Sequence, residues 1–178
     1  MTGWRPGDRR PDTASMLRVN QAGEYGATRI YAGQLAVLRA NSPTAKLIAR
    51  MDGQERRHLA RFNALMGERR VRPTILQPMW NVAGFALGAA TALMSEKAAL
   101  ACTDAVETEI DRHYGAQLDE LGNSDPEFAA DIAEFRAEEL EHRDSAREAG
   151  AAQAFGYPLL TVTVRAACRV AIGLSKRI

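Results

Sequence analysis

Apolar residues recur at helical spacing through most of the chain, and polar breaks divide the pattern into segments. Between about Ser15 and Ala40, Leu17, Ala27, Tyr31, Leu35 and Leu38 fall on one stripe, and Glu24 shares it, seven residues before Tyr31. Asn41-Ser42-Pro43 ends this segment, with Ser42 placed to cap the next helix and Pro43 at its first position. A second helix, about Pro43 to Met66, then turns Leu47, Met51, Glu55, His58, Leu59 and Phe62 to one side, while Arg50, Arg56, Arg57 and Arg61 form a solvated face. Gly122-Asn123-Ser124-Asp125-Pro126 is the other clear break. It precedes a helix from Pro126 to about Ala149, with Phe128, Ile132, Phe135, Glu139 and His142 inward. Between the breaks, a pattern without gaps runs from an apolar stretch through Ala99, Ala105, Glu107 and Tyr114 to about Leu121.

Glutamates on these stripes occupy places that a core helix fills with leucine, and they recur. Arg29-Ile30-Tyr31-Ala32-Gly33-Gln34-Leu35 reads almost like Arg112-His113-Tyr114-Gly115-Ala116-Gln117-Leu118, and Glu24 maps onto Glu107 at the same offset. Glu55 and His58 map onto Glu139 and His142 after a slip of one residue. Each half is therefore a helical hairpin with a lone Glu on its first helix and Glu-x-x-His on its second. Residues three apart share a helix face, so each Glu-x-x-His pair can hold one metal ion. The expected fold is all-α: a ferritin-like four-helix bundle built from two repeated hairpins, the arrangement in which such a ligand set holds two metals.

Two apolar elements lie outside that frame. Pro73 to Ser95 is a run of 23 residues without a charge. As a helix it reaches about 34 Å, the thickness of a bilayer core. Gln77, Pro78, Asn81, Gly84 and Gly88 argue against a true span. Buried crossover, transmembrane helix and interfacial segment compete here, and the interfacial reading is preferred. After Glu148 no acidic residue remains, while Arg165, Arg169, Lys176 and Arg177 add four positive charges. Residues 157–177 read as an amphipathic helix, either touching anionic lipid or closing the bundle. Residues 1–15 read as a mobile arm, with no role assigned to Trp4, and residues 16–178 as one domain.

Composition adds exclusions. At 178 residues and a net charge of +1, the chain is long enough for one sizeable core and gives no sign of a nucleic-acid partner. Cys102 and Cys168 stand alone in apolar contexts and read as reduced core residues, not a disulfide or zinc site. The N-terminus has no apolar core of a secretory signal.

Glu24, Glu55, His58, Glu107, Glu139 and His142 supply four carboxylates, enough to neutralise two divalent ions in an apolar bundle. Mixed carboxylate and imidazole donors suit iron or manganese better than structural zinc or calcium. Glu55 and Glu139 as bridges would leave coordination positions for dioxygen. Around them, Asp104 and Asp111 lie a turn either side of Glu107 and are placed to orient a ligand histidine. Tyr31 and Tyr114 lie two turns beyond Glu24 and Glu107, within reach of the metals. His113, outside the pairs, is a candidate to bond the substrate or deliver a proton.

The chain resembles the demethoxyubiquinone hydroxylases of ubiquinone biosynthesis. The resemblance rests on Arg18-Val19-Asn20-Gln21-Ala22-Gly23-Glu24-Tyr25-Gly26-Ala27, on Ile30-Tyr31-Ala32-Gly33-Gln34 and on Arg72-Pro73-Thr74. It continues through Trp80-Asn81-Val82, Gly84-Phe85-Ala86-Leu87-Gly88, Ala101-Cys102-Thr103, Glu138-Glu139-Leu140-Glu141-His142 and Cys168-Arg169-Val170-Ala171-Ile172. It implies a non-haem di-iron monooxygenase with two iron ions on the six residues above. With dioxygen as co-substrate, such an enzyme hydroxylates the ring of a polyprenyl methoxy-methyl-benzoquinone. It also implies peripheral attachment to a membrane, here the cytoplasmic face of a bacterial inner membrane, since the short arm does not look like a mitochondrial targeting extension. A lipid-binding accessory protein or a ubiquinone-biosynthesis complex belongs among the candidate partners. No nucleotide fingerprint is present, so electrons would come through another kind of NADH site, a separate reductase or the quinol itself. A ferritin-like ferroxidase and a di-iron quinol oxidase are the alternatives, separable by product.

Overall fold

The computed structural model describes residues 11–177, so most of the expected arm, with Trp4, lies outside the described residues. Six α-helices follow one another: α1 (Thr13–Val37), α2 (Pro43–Arg69), α3 (Gln77–Met94), α4 (Glu96–Leu121), α5 (Pro126–Glu148) and α6 (Tyr157–Ser175). No strand occurs among the described residues. Local chemistry sets the boundaries. Asp12 accepts from the Ser15 N–H, so α1 begins before the expected Ser15. Ser42 accepts from Ala45 N and Asp125 from Phe128 N, each followed by proline at the first helical position.

The unbroken pattern expected from the apolar run into the Glu107 helix is in fact interrupted. Ser95 adopts an extended conformation and its hydroxyl accepts from Ala98 N, which ends α3 and starts α4. A serine N-cap inside an apolar run is a short signal, and continuous hydrophobicity conceals it.

Helices α1, α2, α4 and α5 form the bundle, with two apolar layers. One gathers Leu17, Phe62, Leu65, Tyr114, Leu121, Phe128, Ile132 and Phe135. The other gathers Tyr31, Ala45, Ile48, Met51 and Ala99. Along α1 and α2 the interval between these layers is occupied by Glu24, Glu55 and His58. Phe62 packs edge-on against Phe128 and Phe135, and Phe135 stacks on the His58 ring at 4.1 Å.

The remaining helices lie outside. α3 runs along α1, and only Gly88, Thr91 and Ala92 of it are buried. A Cβ at Gly88 would sit 1.9 Å from the Ile30 carbonyl oxygen, and one at Gly33 would sit 2.1 Å from that of Phe85. The two backbones thus meet where only glycine fits. This places residues 77–94 as a crossover on the bundle's outside, not in its core. α6 lies along α4 and is fixed differently. Glu109, fully buried on α4, accepts from Arg165 Nε (2.8 Å), Arg169 Nε (3.0 Å) and Arg169 Nη2 (2.8 Å), with Arg112 Nε at 3.2 Å. These arginines hold the carboxyl down at about 2. Arg165 and Arg169, expected to face lipid, are therefore spent on the bundle. Among the described residues, Lys176 and Arg177 have no ion pair.

The outer surfaces of α3, α6 and the turn before α6 expose Val82, Leu93, Met94, Phe155, Leu159, Val162 and Val170. By length and composition α6 could also cross a membrane, although little of it is buried.

Candidate metal centre

The six sequence-predicted donors come together. Glu24, Glu55, His58 and Glu139 form one buried group, and Glu55, Glu107, Glu139 and His142 a second; within each, one donor atom per residue lies within 4.8 Å of the others. Glu55 and Glu139 belong to both groups, as bridging residues must. His58 Nδ1 stands 3.1 Å from Glu139 Oε1 and 3.5 Å from Glu24 Oε2. His142 Nδ1 stands 3.1 Å from both Glu55 Oε1 and Glu139 Oε2. Each lone Glu is held by the tyrosine of the other half. Tyr31 on α1 donates to Glu107 Oε1 on α4 at 2.6 Å, and Tyr114 on α4 donates to Glu24 Oε1 on α1. Both phenols are pushed well above their usual range by burial and the nearby carboxylates.

The electrostatics are those of a site built around cations. Burial pushes Glu55 and Glu107 well up, and repulsion from Glu139 adds to it; burial raises Glu139 as well. Against its burial, Glu24 is brought below the usual range, chiefly by the adjacent His58. Burial alone would depress His58, yet Glu139 and Glu24 lift it to about 10. Glu24 Oε2, both Glu55 oxygens and Glu107 Oε2 are buried without a hydrogen-bond partner, a cost that a cation removes. Two divalent ions fit this donor set by charge and by ligand type.

Residues 11–175 match the family described as "Ubiquinone biosynthesis protein COQ7". The chain belongs to that family. A relative from Rhodospirillum rubrum, named 3-demethoxyubiquinol 3-hydroxylase, is 51% identical over 97% of this chain and 82% of its own length. A relative from Mus musculus, named NADPH-dependent 3-demethoxyubiquinone 3-hydroxylase, mitochondrial, is 51% identical over 91% of this chain and 76% of its own length. One from Saccharomyces cerevisiae, named 5-demethoxyubiquinone hydroxylase, mitochondrial, is 41% identical over 92% and 77%.

The other expected neighbours are placed elsewhere in this COQ7-family chain. Asp104 is bonded by Arg147, Tyr157 and Thr108, and Asp111 by Arg136. Neither bonds a ligand histidine; both tie α4 to α5, and Asp104 also ties it to the start of α6. His113 joins a polar cluster between α1 and α4, accepting from Gln117 Nε2 at 2.9 Å, with Asn20 Oδ1 at 3.3 Å. Burial pushes it down to about 4, and Lys176 and Arg112 add to the effect. The partners of the ligand histidines are instead Glu138 and Gln54. Glu138 Oε2 lies 3.2 Å from His58 Nε2, and Gln54 Oε1 lies 3.0 Å from His142 Nε2. Spacing to Glu107 does not single these two out; their shared place in the repeat, directly before Glu55 and Glu139, does.

A cavity of about 170 Å³ lies between α1, α3, α4 and α6. Its lining is apolar, with Gly23, Ala27, Val106 and Ile110 on the bundle side and Trp80, Leu87, Cys168 and Ile172 on the outer side. Gly23 directly precedes Glu24 and Val106 directly precedes Glu107. Trp80 Nε1 donates to Ser175 Oγ at 3.1 Å, joining α3 to α6 beside the cavity.

Proposed function

We propose that the chain is a di-iron monooxygenase that hydroxylates the ring of a polyprenyl methoxy-methyl-benzoquinone with dioxygen, a step in making ubiquinone. The observation that carries this reading is the pair of buried donor groups sharing Glu55 and Glu139, in a chain about half identical to hydroxylases named for that substrate. Glu24, Glu55, His58, Glu107, Glu139 and His142 would hold two iron ions, which would activate dioxygen by passing on two electrons per turnover from an external reductant. The chain's own groups do the rest. Tyr31 and Tyr114 fix Glu107 and Glu24 by hydrogen bonds, so the carboxylates stay aimed inward when protons leave. The apolar cavity, lined by Gly23 and Val106, the chain neighbours of Glu24 and Glu107, receives the quinone and keeps bulk water away from the ring.

Residues 16–178 act as one domain, with α3 and α6 as its membrane-facing side. The exposed apolar residues of both helices enter the interface of a bacterial inner membrane from the cytoplasmic face, and Lys176 and Arg177 meet anionic lipid. A polyprenyl tail then stays in the bilayer while the ring enters between α3 and α6. Mass spectrometry of quinones from cells lacking the protein tests the reading. Accumulation of the demethoxy precursor is expected, and an unchanged quinone pool refutes it. Purified protein should hold two irons per chain; a single zinc in active protein would overturn the metal assignment.

A further inference from the structure

Gln54 and Glu138 occupy corresponding places in the two halves, each directly before the Glu of a Glu-x-x-His pair. Their contacts cross. Glu138 on α5 meets His58 on α2, and Gln54 on α2 meets His142 on α5. The two also meet each other, Gln54 Nε2 donating to Glu138 Oε2 at 2.9 Å, where Arg57 Nη2 donates as well at 2.9 Å.

The directions of these bonds are not free. An ionised carboxylate only accepts, so Gln54 must turn its amide nitrogen to Glu138 and its oxygen to His142. His142 Nε2 then has to carry a proton, and so does His58 Nε2 against Glu138. One arrangement satisfies Gln54, Glu138 and both Nε2 atoms, and in it both Nδ1 atoms are left on the side of the buried carboxylates, where a cation held between them would take their lone pairs. The same reasoning exposes an asymmetry. One histidine leans on a carboxylate, the other on a neutral amide. An imidazole whose N–H donates to a carboxylate is the stronger donor through its other nitrogen.

We propose that Gln54 and Glu138 are a crossed pair of positioning residues that fix the tautomers of His58 and His142 and make the two metal positions chemically unequal. The position beside Glu24 and His58 receives the more electron-donating imidazole. The one beside Glu107 and His142 receives the less donating one. This rests on the di-metal reading above. Arg57, more than half exposed, adds a screened positive charge to Glu138 and does not cancel its effect.

The test uses the full chain and iron itself. Anaerobic titration with ⁵⁷Fe(II), followed by metal competition and Mössbauer spectroscopy, should give two sites of different affinity and two separate doublets. Glu138→Gln keeps an acceptor for His58 but removes the charge, and should bring the two doublets together with little change in melting temperature. Glu138→Ala and Gln54→Ala should each weaken one site about 10–100-fold, as loss of a partner to a ligand histidine does. The exchanged variant Gln54→Glu/Glu138→Gln should restore the separation lost in Glu138→Gln, a rescue that a packing role would not produce. Wild-type doublets and affinities in Glu138→Gln and both alanine variants would overturn the proposal while leaving the metal reading intact. Failure of the wild-type chain to bind two irons would overturn both. Should either alanine variant not fold, the isosteric variants decide.

Discussion

Removing Glu109 should loosen α6 and leave the four-helix bundle alone. The carboxylate is fully buried, but Arg165, Arg169 and Arg112 are 36, 49 and 66% exposed. Glu109→Gln therefore releases three arginines that can turn to water, and no buried charge is stranded. With solvent screening of such partners, a cost of about 1–2 kcal/mol is expected, well under the roughly 3–5 kcal/mol for breaking a fully buried pair. In a domain of this size that lowers the melting temperature by about 2–4 °C per kcal/mol. The converse change is worse. Arg165→Gln with Arg169→Gln strands a buried carboxylate against Arg112 alone, and should cost more than Glu109→Gln. Adding Glu109→Gln to that pair should then recover stability. Hydrogen exchange read by peptide mass spectrometry should quicken across Tyr157–Ser175 and stay slow in α2 and α5. The reasoning fails if Arg165→Gln/Arg169→Gln leaves α6 exchange untouched while weakening low-salt binding to anionic vesicles. The arginines would then serve lipid, as their sequence alone suggests.

Other outcomes follow from single contacts. Glu139→Ala should abolish iron binding and turnover, whereas Glu141→Ala, on the exposed side of the same helix, should retain both when measured side by side. Gly88→Ala forces a methyl into the Ile30 carbonyl and should cost at least about 1–3 kcal/mol of overpacking, read as a lower denaturation midpoint with the α1–α3 contact disturbed. Val82→Asp or Leu159→Asp, both on the exposed faces of α3 and α6, should weaken vesicle binding at every salt concentration with the irons retained. Leu87→Asp should instead disturb the cavity it lines. Arg69 and the Phe128 N–H hold the Asp125 carboxyl below its usual 3.8 in the folded chain. Asp125→Asn should therefore cost about 1 kcal/mol near neutrality, and the difference from wild type should fade as pH drops through 3.8 towards the folded value.

The bundle, and the meeting of Glu24, Glu55, His58, Glu107, Glu139 and His142 within it, were legible because duplication makes a weak signal repeat. One Glu-x-x-His is common on helix faces, but Glu55/His58 and Glu139/His142 in matched register leave little else to read. What escaped depends on partners far away in sequence. Asp104 and Asp111 have the right helical spacing to Glu107, yet Arg147, Tyr157 and Arg136 claim them, and spacing along one helix says nothing about residues on another. Arg165 and Arg169 looked like a lipid-facing stripe because their counter-charge, Glu109, lies 56 and 60 residues upstream. The break at Ser95 was hidden by the apolar residues around it.

The structure also enlarges the repeat. The repeated motifs gave two hairpins, but α3 packs on α1 as α6 packs on α4, so each half is a hairpin followed by an apolar helix folded back on its first member. The cavity sits on the seam between the halves, which is why all four of these helices line it. The two outer helices are attached by different physics. The contact of α3 with α1 is backbone against backbone through Gly33 and Gly88, and neither water nor salt can relieve it. That of α6 with α4 includes a charge cluster whose arginines already touch solvent. Of the two outer walls, α6 is thus the one whose hold depends on ionic conditions. An apolar guest that widens the cavity meets less resistance there than from α3. On that ground the loss of Glu109 should be felt at the cavity before it is felt at the buried carboxylate cluster, because the cavity loses an outer wall while Glu24 and Glu107 keep their tyrosines.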